Sequence, residues 1–418
     1  MSPLPKLERP QESPANTGCN RKARRKPPLM NKLTSSWATA KVREFDSSGV
    51  HRIGTPGDRA SGEWLLGEAS IKGVTVARMP VVFDRTIIDE AYVECAQERI
   101  EALPMFDAPA TPANGIVGLL CHEGGDRQIA YVEFAPNAAS IKGQPLEALR
   151  AVTRHSALVV ATLSKSGALS PINAQHFSNP FGPPVLQVAG MHSTFFRRQA
   201  ASNAPVKVYS AIRKARTESF NVAAVTPPLS SAQPLVIVTP RTGWWESTAE
   251  RAGGILAWLA SLEMAGKLQN EERLHRQVLA YATCGHELGH IGLDELIRQR
   301  GDLLKNARYW LHLGANLGTA SSLQMMIRAD NPDDGQLMRD LLIAEGYPAE
   351  FVVVEPIAKV SGEGHDLKKL GAKVLSMAGS NHYFHDAADR WPGNVNAAGI
   401  ASISRAVARW VEHECGPQ

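Results

Sequence analysis

His286-Glu287-Leu288-Gly289-His290 sets two imidazoles four residues apart around a glutamate. On an α-helix that spacing puts both rings on one face, where they can ligate zinc while the glutamate activates a water. The surroundings argue for another arrangement. The apolar run from Gln277 to Thr283, followed by Cys284-Gly285, reads as a buried strand and turn immediately before His286. That is a strand-to-helix elbow, not a helix interior, and the position six past His290 is Leu296, not a third ligand. A second constellation uses Glu250 at the start of a helix, Glu287 after the next strand, and His385 in a loop after a later strand. Two carboxylates and an imidazole at one rim of a sheet make a three-ligand set for a divalent metal, with positions left for water and substrate. Zinc, iron and manganese all suit such donors, with zinc the first expectation.

The elements that must bring these residues together follow from hydrophobic patterning. Apolar runs at 235–238, 278–282, 309–313, 351–354 and 373–376 read as buried strands. Helices are expected near 249–265, 287–300 and 335–345, with a last one from about Asn394 that presents Ile400, Ile403, Val407, Trp410 and Val411 on one face. This alternation predicts an α/β fold, a mostly parallel mixed sheet covered by helices on both faces. Functional groups in such sheets gather at the carboxyl ends of the strands. Earlier in the chain, 74–83 reads as a strand and 87–103 as a helix. Residues 106–215 change texture to short strands, loops and frequent Gly and Pro, a small β-rich inserted domain. The expected division is a basic arm over 1–45, an α/β domain over 46–105 and 216–418, and the insert over 106–215.

The whole chain of 418 residues carries net charge +4. Residues 1–33 hold eight basic and two acidic side chains, so the arm is +6 and the remainder −2. A Pro-rich basic arm of low apolar content is expected to be disordered. The folded body is not basic, which disfavours nucleic acid as a partner beyond non-specific contact by the arm. No apolar run approaches the roughly 18 residues that span a bilayer. The first 33 residues lack the apolar core of a signal peptide. Five widely spaced cysteines with no CxxC pair indicate neither a zinc ribbon nor a disulfide framework, so a cytoplasmic setting is expected. There is no GxSxG elbow, P-loop or GxGxxG.

In order and spacing, several segments resemble the M28 metallopeptidases, the aminopeptidase- and glutamate-carboxypeptidase-like zinc enzymes. The chain from His51 to Glu63, Ser219-Phe-Asn-Val with Leu235-Val-Ile-Val-Thr-Pro-Arg-Thr-Gly, Glu250-Arg-Ala-Gly-Gly, Gly285-His-Glu-Leu-Gly and His385-Asp-Ala-Ala-Asp389 carry the likeness. It covers most of residues 48–415 and implies a zinc-exopeptidase-like fold with a protease-associated-like insert at 106–215. It implies Glu250, Glu287 and His385 as ligands of one metal. The positions that would hold a second metal are Arg241 and Ala315, neither a plausible ligand, so a single-metal centre is expected. The family's general base is replaced by His286, which could act as base, serve as a ligand together with or instead of His290, or mark loss of catalysis. Arg241 is a candidate for charge stabilisation, or else a surface or salt-bridged residue. Trp244, Trp245, His382 and Tyr383 are candidates for lining a substrate pocket, or for packing. The expectation is a metal-dependent hydrolase of an amide-type bond in a peptide or small molecule, with a homodimer compatible with the insert. The alternatives are a non-catalytic binding relative and a zincin-type peptidase built on His286 and His290.

Overall fold

A computed structural model describes residues 29–122, 128–136, 145–152, 154–229 and 232–417. In chain order its strands are β1 Thr75–Cys95, β2 Glu98–Glu101, β3 Leu103–Pro104, β4 Ile116–His122, β5 Ile129–Phe134, β6 Ala157–Thr162 and β7 Val185–Ala189. They continue with β8 Pro205–Val225, β9 Leu235–Pro240, β10 Val278–Thr283, β11 Tyr309–Leu313, β12 Met325–Ala329, β13 Val352–Pro356 and β14 Val374–Gly379. The sheet runs β13-β12-β14-β11-β9-β10-β8 and then, across β8, into β4-β5-β6-β7-β3. Pairing is parallel at β9–β10, β9–β11, β11–β14 and β12–β13. It is antiparallel at β12–β14 and β8–β10. The β5–β6–β7 run is also parallel.

The centre of the sheet is dry because every residue of β9, β10 and β11 is buried. Alternate residues face opposite layers. Leu235 and Ile237 join a core with Trp258 and Ile255 of the Thr248–Asn270 helix, Trp410 of the Ala397–Cys415 helix, and Val42 and Phe45 of the Ser35–Asp46 helix. Val236 and Val238 join another with Leu293, Leu296 and Leu367 from the Ile291–Arg300 and Glu363–Lys369 helices. Helices thus cover both faces. No helix among the described residues is long and apolar enough to cross a membrane.

Two expectations are corrected. Residues 87–103 do not form a helix: β1 runs through Cys95, turns at Ala96 and Gln97, both at positive φ, and returns as β2. The alanines and glutamates there favour a helix locally, but β1 pairs with β8 along almost its whole length, and that tertiary pairing overrides local preference. The arm is shorter than 1–45: Ser35–Asp46 is a helix whose Ala38, Val42 and Phe45 are buried in the core. Residues 1–28 of the arm lie outside the described residues.

Thr55 caps the Pro56–Glu68 helix by accepting from the Asp58 N–H, and its hydroxyl donates to the Val50 carbonyl. Thr55→Ala is expected to cost about 1 kcal/mol, read as a lower urea midpoint at unchanged m-value.

Candidate active site

The elbow at the end of β10 sets the first pair of functional groups. Gly285 (φ +71°) and Gly289 (φ +72°) bracket a single 3₁₀ turn, His286–Leu288, and the following helix begins only at Ile291. Both glycines adopt the left-handed conformation, and a Cβ at Gly289 would lie 2.8 Å from the Gln175 carbonyl. His286 and His290 are therefore not one turn apart on a helix, as a zincin requires. Their rings instead lie 4.6 Å apart at a 33° tilt, and His290 Nδ1 is 2.7 Å from Asp366 Oδ2. Glu287 is buried between the Ile53 N–H and the Thr242 hydroxyl, both at 2.7 Å. Burial pushes its carboxyl pKa up, partly offset by those hydrogen bonds.

Glu250 sits in the first turn of the Thr248–Asn270 helix. That helix is pressed onto its neighbours at Gly253 and Gly254, where a Cβ would come within 2.5 Å of the Leu317 carbonyl carbon and 2.6 Å of Thr239 Oγ1. Asp389 anchors its start: Oδ2 accepts from the Glu250 N–H at 2.9 Å, and Oδ1 accepts from Asn381 and Asn394. Burial, followed by the nearby Glu250 charge, raises Asp389 to about 7. Arg251 Nη2 lies 2.6 Å from Glu250 Oε1, and its Nε donates to the Thr242 carbonyl.

His385, at φ +59°, completes the group. Its Nδ1 is 2.6 Å from the Pro171 carbonyl, so Nδ1 carries the proton and Nε2 keeps its lone pair, 3.7 Å from Glu250 Oε1. Burial holds its pKa down at about 3, so the ring is neutral. Ser247, His290 and Asn316 are also non-glycine residues at positive φ around this rim. Such strain collects where a surrounding structure holds side chains in functional positions.

His286 is buried beside Glu363, with Nδ1 3.4 Å from Oε1. Its pKa lies well below the ordinary value because of burial first, then the Arg251 charge. A cavity of about 350 Å³ opens over this group, lined among others by His286, His312, Asn316, Arg328, Asn381 and Phe384. Phe384 stacks on His385 at 3.8 Å, and Asn316 N–H donates to the Glu250 carbonyl, so the cavity abuts both groups. A roomier cleft of about 430 Å³ among Phe83, Phe177, Lys214 and Asp294 contains none of them.

The structure moves other candidates out of the site. Arg241 spends all five N–H donors elsewhere: Nε and Nη2 on the Phe220 carbonyl, Nη2 also on Ser219, and Nη1 on the Asp58 carbonyl and carboxylate. It is a buried structural cation, not a charge stabiliser. Trp244 is 1% exposed, donates to Asn173 Oδ1 and packs edge-on against Phe106, so it offers no stacking face. Trp245 packs against the same core. His382 is exposed and Tyr383 half-buried, and neither lines the cavity; their neighbours Asn381 and Phe384 do. The sequence reading missed Glu363 and Arg251. Arg251 had left a signal, since a cation in the first turn of a helix opposes the dipole and needs a partner to hold it there.

The fit of a metal to these groups rests on their free lone pairs. Glu250 Oε2 and His385 Nε2 are buried with lone pairs to offer, while Glu250 Oε1 meets the Arg251 guanidinium at 2.6 Å and lies 3.7 Å from His385 Nε2, a donor pair that suits a bound cation. Among the described residues no group of three His, Cys, Asp or Glu is gathered closely enough to form a finished metal site. Glu250 and His385 are thus the pair that fits, with Glu287 to one side holding its remaining lone pairs.

This architecture, a mixed sheet with helices on both faces, is the fold of the M28 zinc aminopeptidases. The aminopeptidase from Aneurinibacillus sp. strain AM-1 superposes with TM-score 0.70 at 12% identity, over 93% of this chain and 96% of that one. BSAP, a zinc aminopeptidase from Bacillus subtilis, gives 0.70 at 13% identity over 92% and 96%. A Peptidase M28 precursor from Shewanella amazonensis SB2B gives 0.69 at 13% identity over 92% and 94%. No family model and no curated protein matches the sequence.

Proposed function

We propose that this chain is a hydrolase of amide-type bonds that works with one divalent metal, zinc in the first place. The observation that carries the reading is the buried Glu250–His385 pair, Oε1 to Nε2 3.7 Å, beside a substrate-sized cavity. The fold shared with zinc aminopeptidases supports it. Glu250 and His385 would hold the metal, with Glu287 completing the set. When bound, the metal supplies a Lewis acid for the scissile carbonyl and lowers the pKa of water.

The chain's own residues do the rest. Pro171 fixes the tautomer of His385, and Asp389 fixes the backbone at Glu250. Neutral His286, with Nδ1 turned to Glu363, can take a proton at Nε2. The insert contributes Pro171 and Asn173 to this rim, and in this reading it is a protease-associated-like module. The free, buried thiols of Cys95, Cys284 and Cys415 support a cytoplasmic setting.

Elemental mass spectrometry of chelator-free protein is expected to find close to one metal per chain, and His385→Ala is expected to lose both metal and turnover while staying folded. Metal well below one per chain, with no gain on zinc addition, overturns the reading. A second, non-catalytic reading is favoured by one observation: the Arg251 guanidinium already lies against Glu250 and balances its charge. Folded, metal-free protein that hydrolyses no amide panel selects it.

A further inference from the structure

Resting on the hydrolase reading, we infer that the cavity beside the site receives a carboxylate, so that the preferred substrate is an amide whose amino-acid-sized portion is anionic. Its 350 Å³ suits a group of that size. No aspartate or glutamate is among the residues that line it. Its wall instead carries one guanidinium, three imidazoles and side-chain amides. Arg328, on β12, directs Nε and Nη2 to Glu355 Oε2 at 3.0 and 2.7 Å, and Glu355 itself does not line the cavity. Arg328 Nη1 has no partner among the described residues.

His312, on β11, is 3% exposed and lines the same cavity. Its Nδ1 pairs with Ser376 Oγ at 2.8 Å, while Nε2 has no partner. With the Ser376 hydroxyl donating to Nδ1, Nε2–H becomes a donor into the cavity. A buried donor with no acceptor is costly, and a carboxylate oxygen would satisfy it together with the guanidinium edge. The free ammonium of an unblocked peptide finds no carboxylate in this wall to pair with, so a cationic group is disfavoured there.

Isothermal titration of the full-length protein tests this without using activity. The probes are N-acetyl-leucine, its uncharged counterpart N-acetyl-leucinamide, and inorganic phosphate. The carboxylate is expected to bind at least tenfold more tightly than the amide, and Arg328→Gln is expected to erase the difference. Met326→Glu, which adds an anion to the lining without touching the Arg328–Glu355 pair, is expected to abolish carboxylate binding and guards against a misfolded Arg328 variant. Equal affinity for acid and amide, no binding of either, a preference that survives both substitutions, or phosphate binding more tightly than carboxylate overturns the inference. Any of these results leaves the hydrolase reading standing, because turnover and metal content are measured separately.

Discussion

Arg241→Met is expected to destabilise the fold by about 3–5 kcal/mol, the usual cost of leaving a buried charge without its partner. The partner is Asp58, 2% exposed, whose Oδ1 is 2.7 Å from Nη1 and has no other hydrogen bond. The same substitution strands the Phe220 carbonyl and Ser219, which together take three of the guanidinium's hydrogen bonds. Chemical denaturation of Arg241→Met, Asp58→Leu and the double variant measures the coupling. The double variant is expected to recover much of the loss, because an apolar pair of similar volume replaces a salt bridge with little net cost. The protein that remains folded is expected to keep its metal content and its kcat. A drop in kcat with unchanged stability would return Arg241 to the catalytic machinery.

That reversal shows where sequence reading stops. Arg241 follows a buried strand at the rim where ligands gather, so its position suggested chemistry. Its five hydrogen bonds go to residues 58 and 219–220, and no local pattern around 241 announces them. Trp244 was left open between stacking and packing for the same reason, since the acceptor that settles it as packed, Asn173, lies about seventy residues away in the chain. The strands β9, β10, β11 and β14 were legible because each is a short apolar run between turn signals. Glu250, Glu287 and His385 could be proposed because each follows such a run, yet the runs do not say which donors converge. The structure turns Glu250 and His385 toward one another and gives Glu287 to Ile53 and Thr242. Glu363 had no distinguishing signal, since a glutamate in a first helical turn is favoured by the helix dipole alone. Only its approach to His286 from the start of the Glu363–Lys369 helix gives it meaning.

The largest kinetic effect that leaves the metal in place is expected at His286. His286→Ala should lower kcat on any amide substrate by about 10²–10⁴-fold, the usual contribution of a positioned general base. Metal content should not change, because His286 faces Glu363 and the stacked His290 ring and is not part of the Glu250–His385 pair. This separation matters because the sequence left His286 open as base, ligand or neither. A ligand would release metal when removed, and a residue without a role would leave both quantities intact. The environment favours the base. Burial and Arg251 keep the ring neutral, so the lone pair is available across the neutral pH range. Glu363 Oε1 stands 3.4 Å from Nδ1, where it can stabilise the imidazolium that forms as Nε2 accepts a proton. Glu363→Gln is therefore expected to reduce kcat less than His286→Ala does, with KM and metal content unchanged. Applied on top of His286→Ala it should cost almost nothing further, since a residue that acts through His286 has no role once the imidazole is gone. Additive losses in the double variant would show that Glu363 acts on the substrate directly and that the proton takes another route.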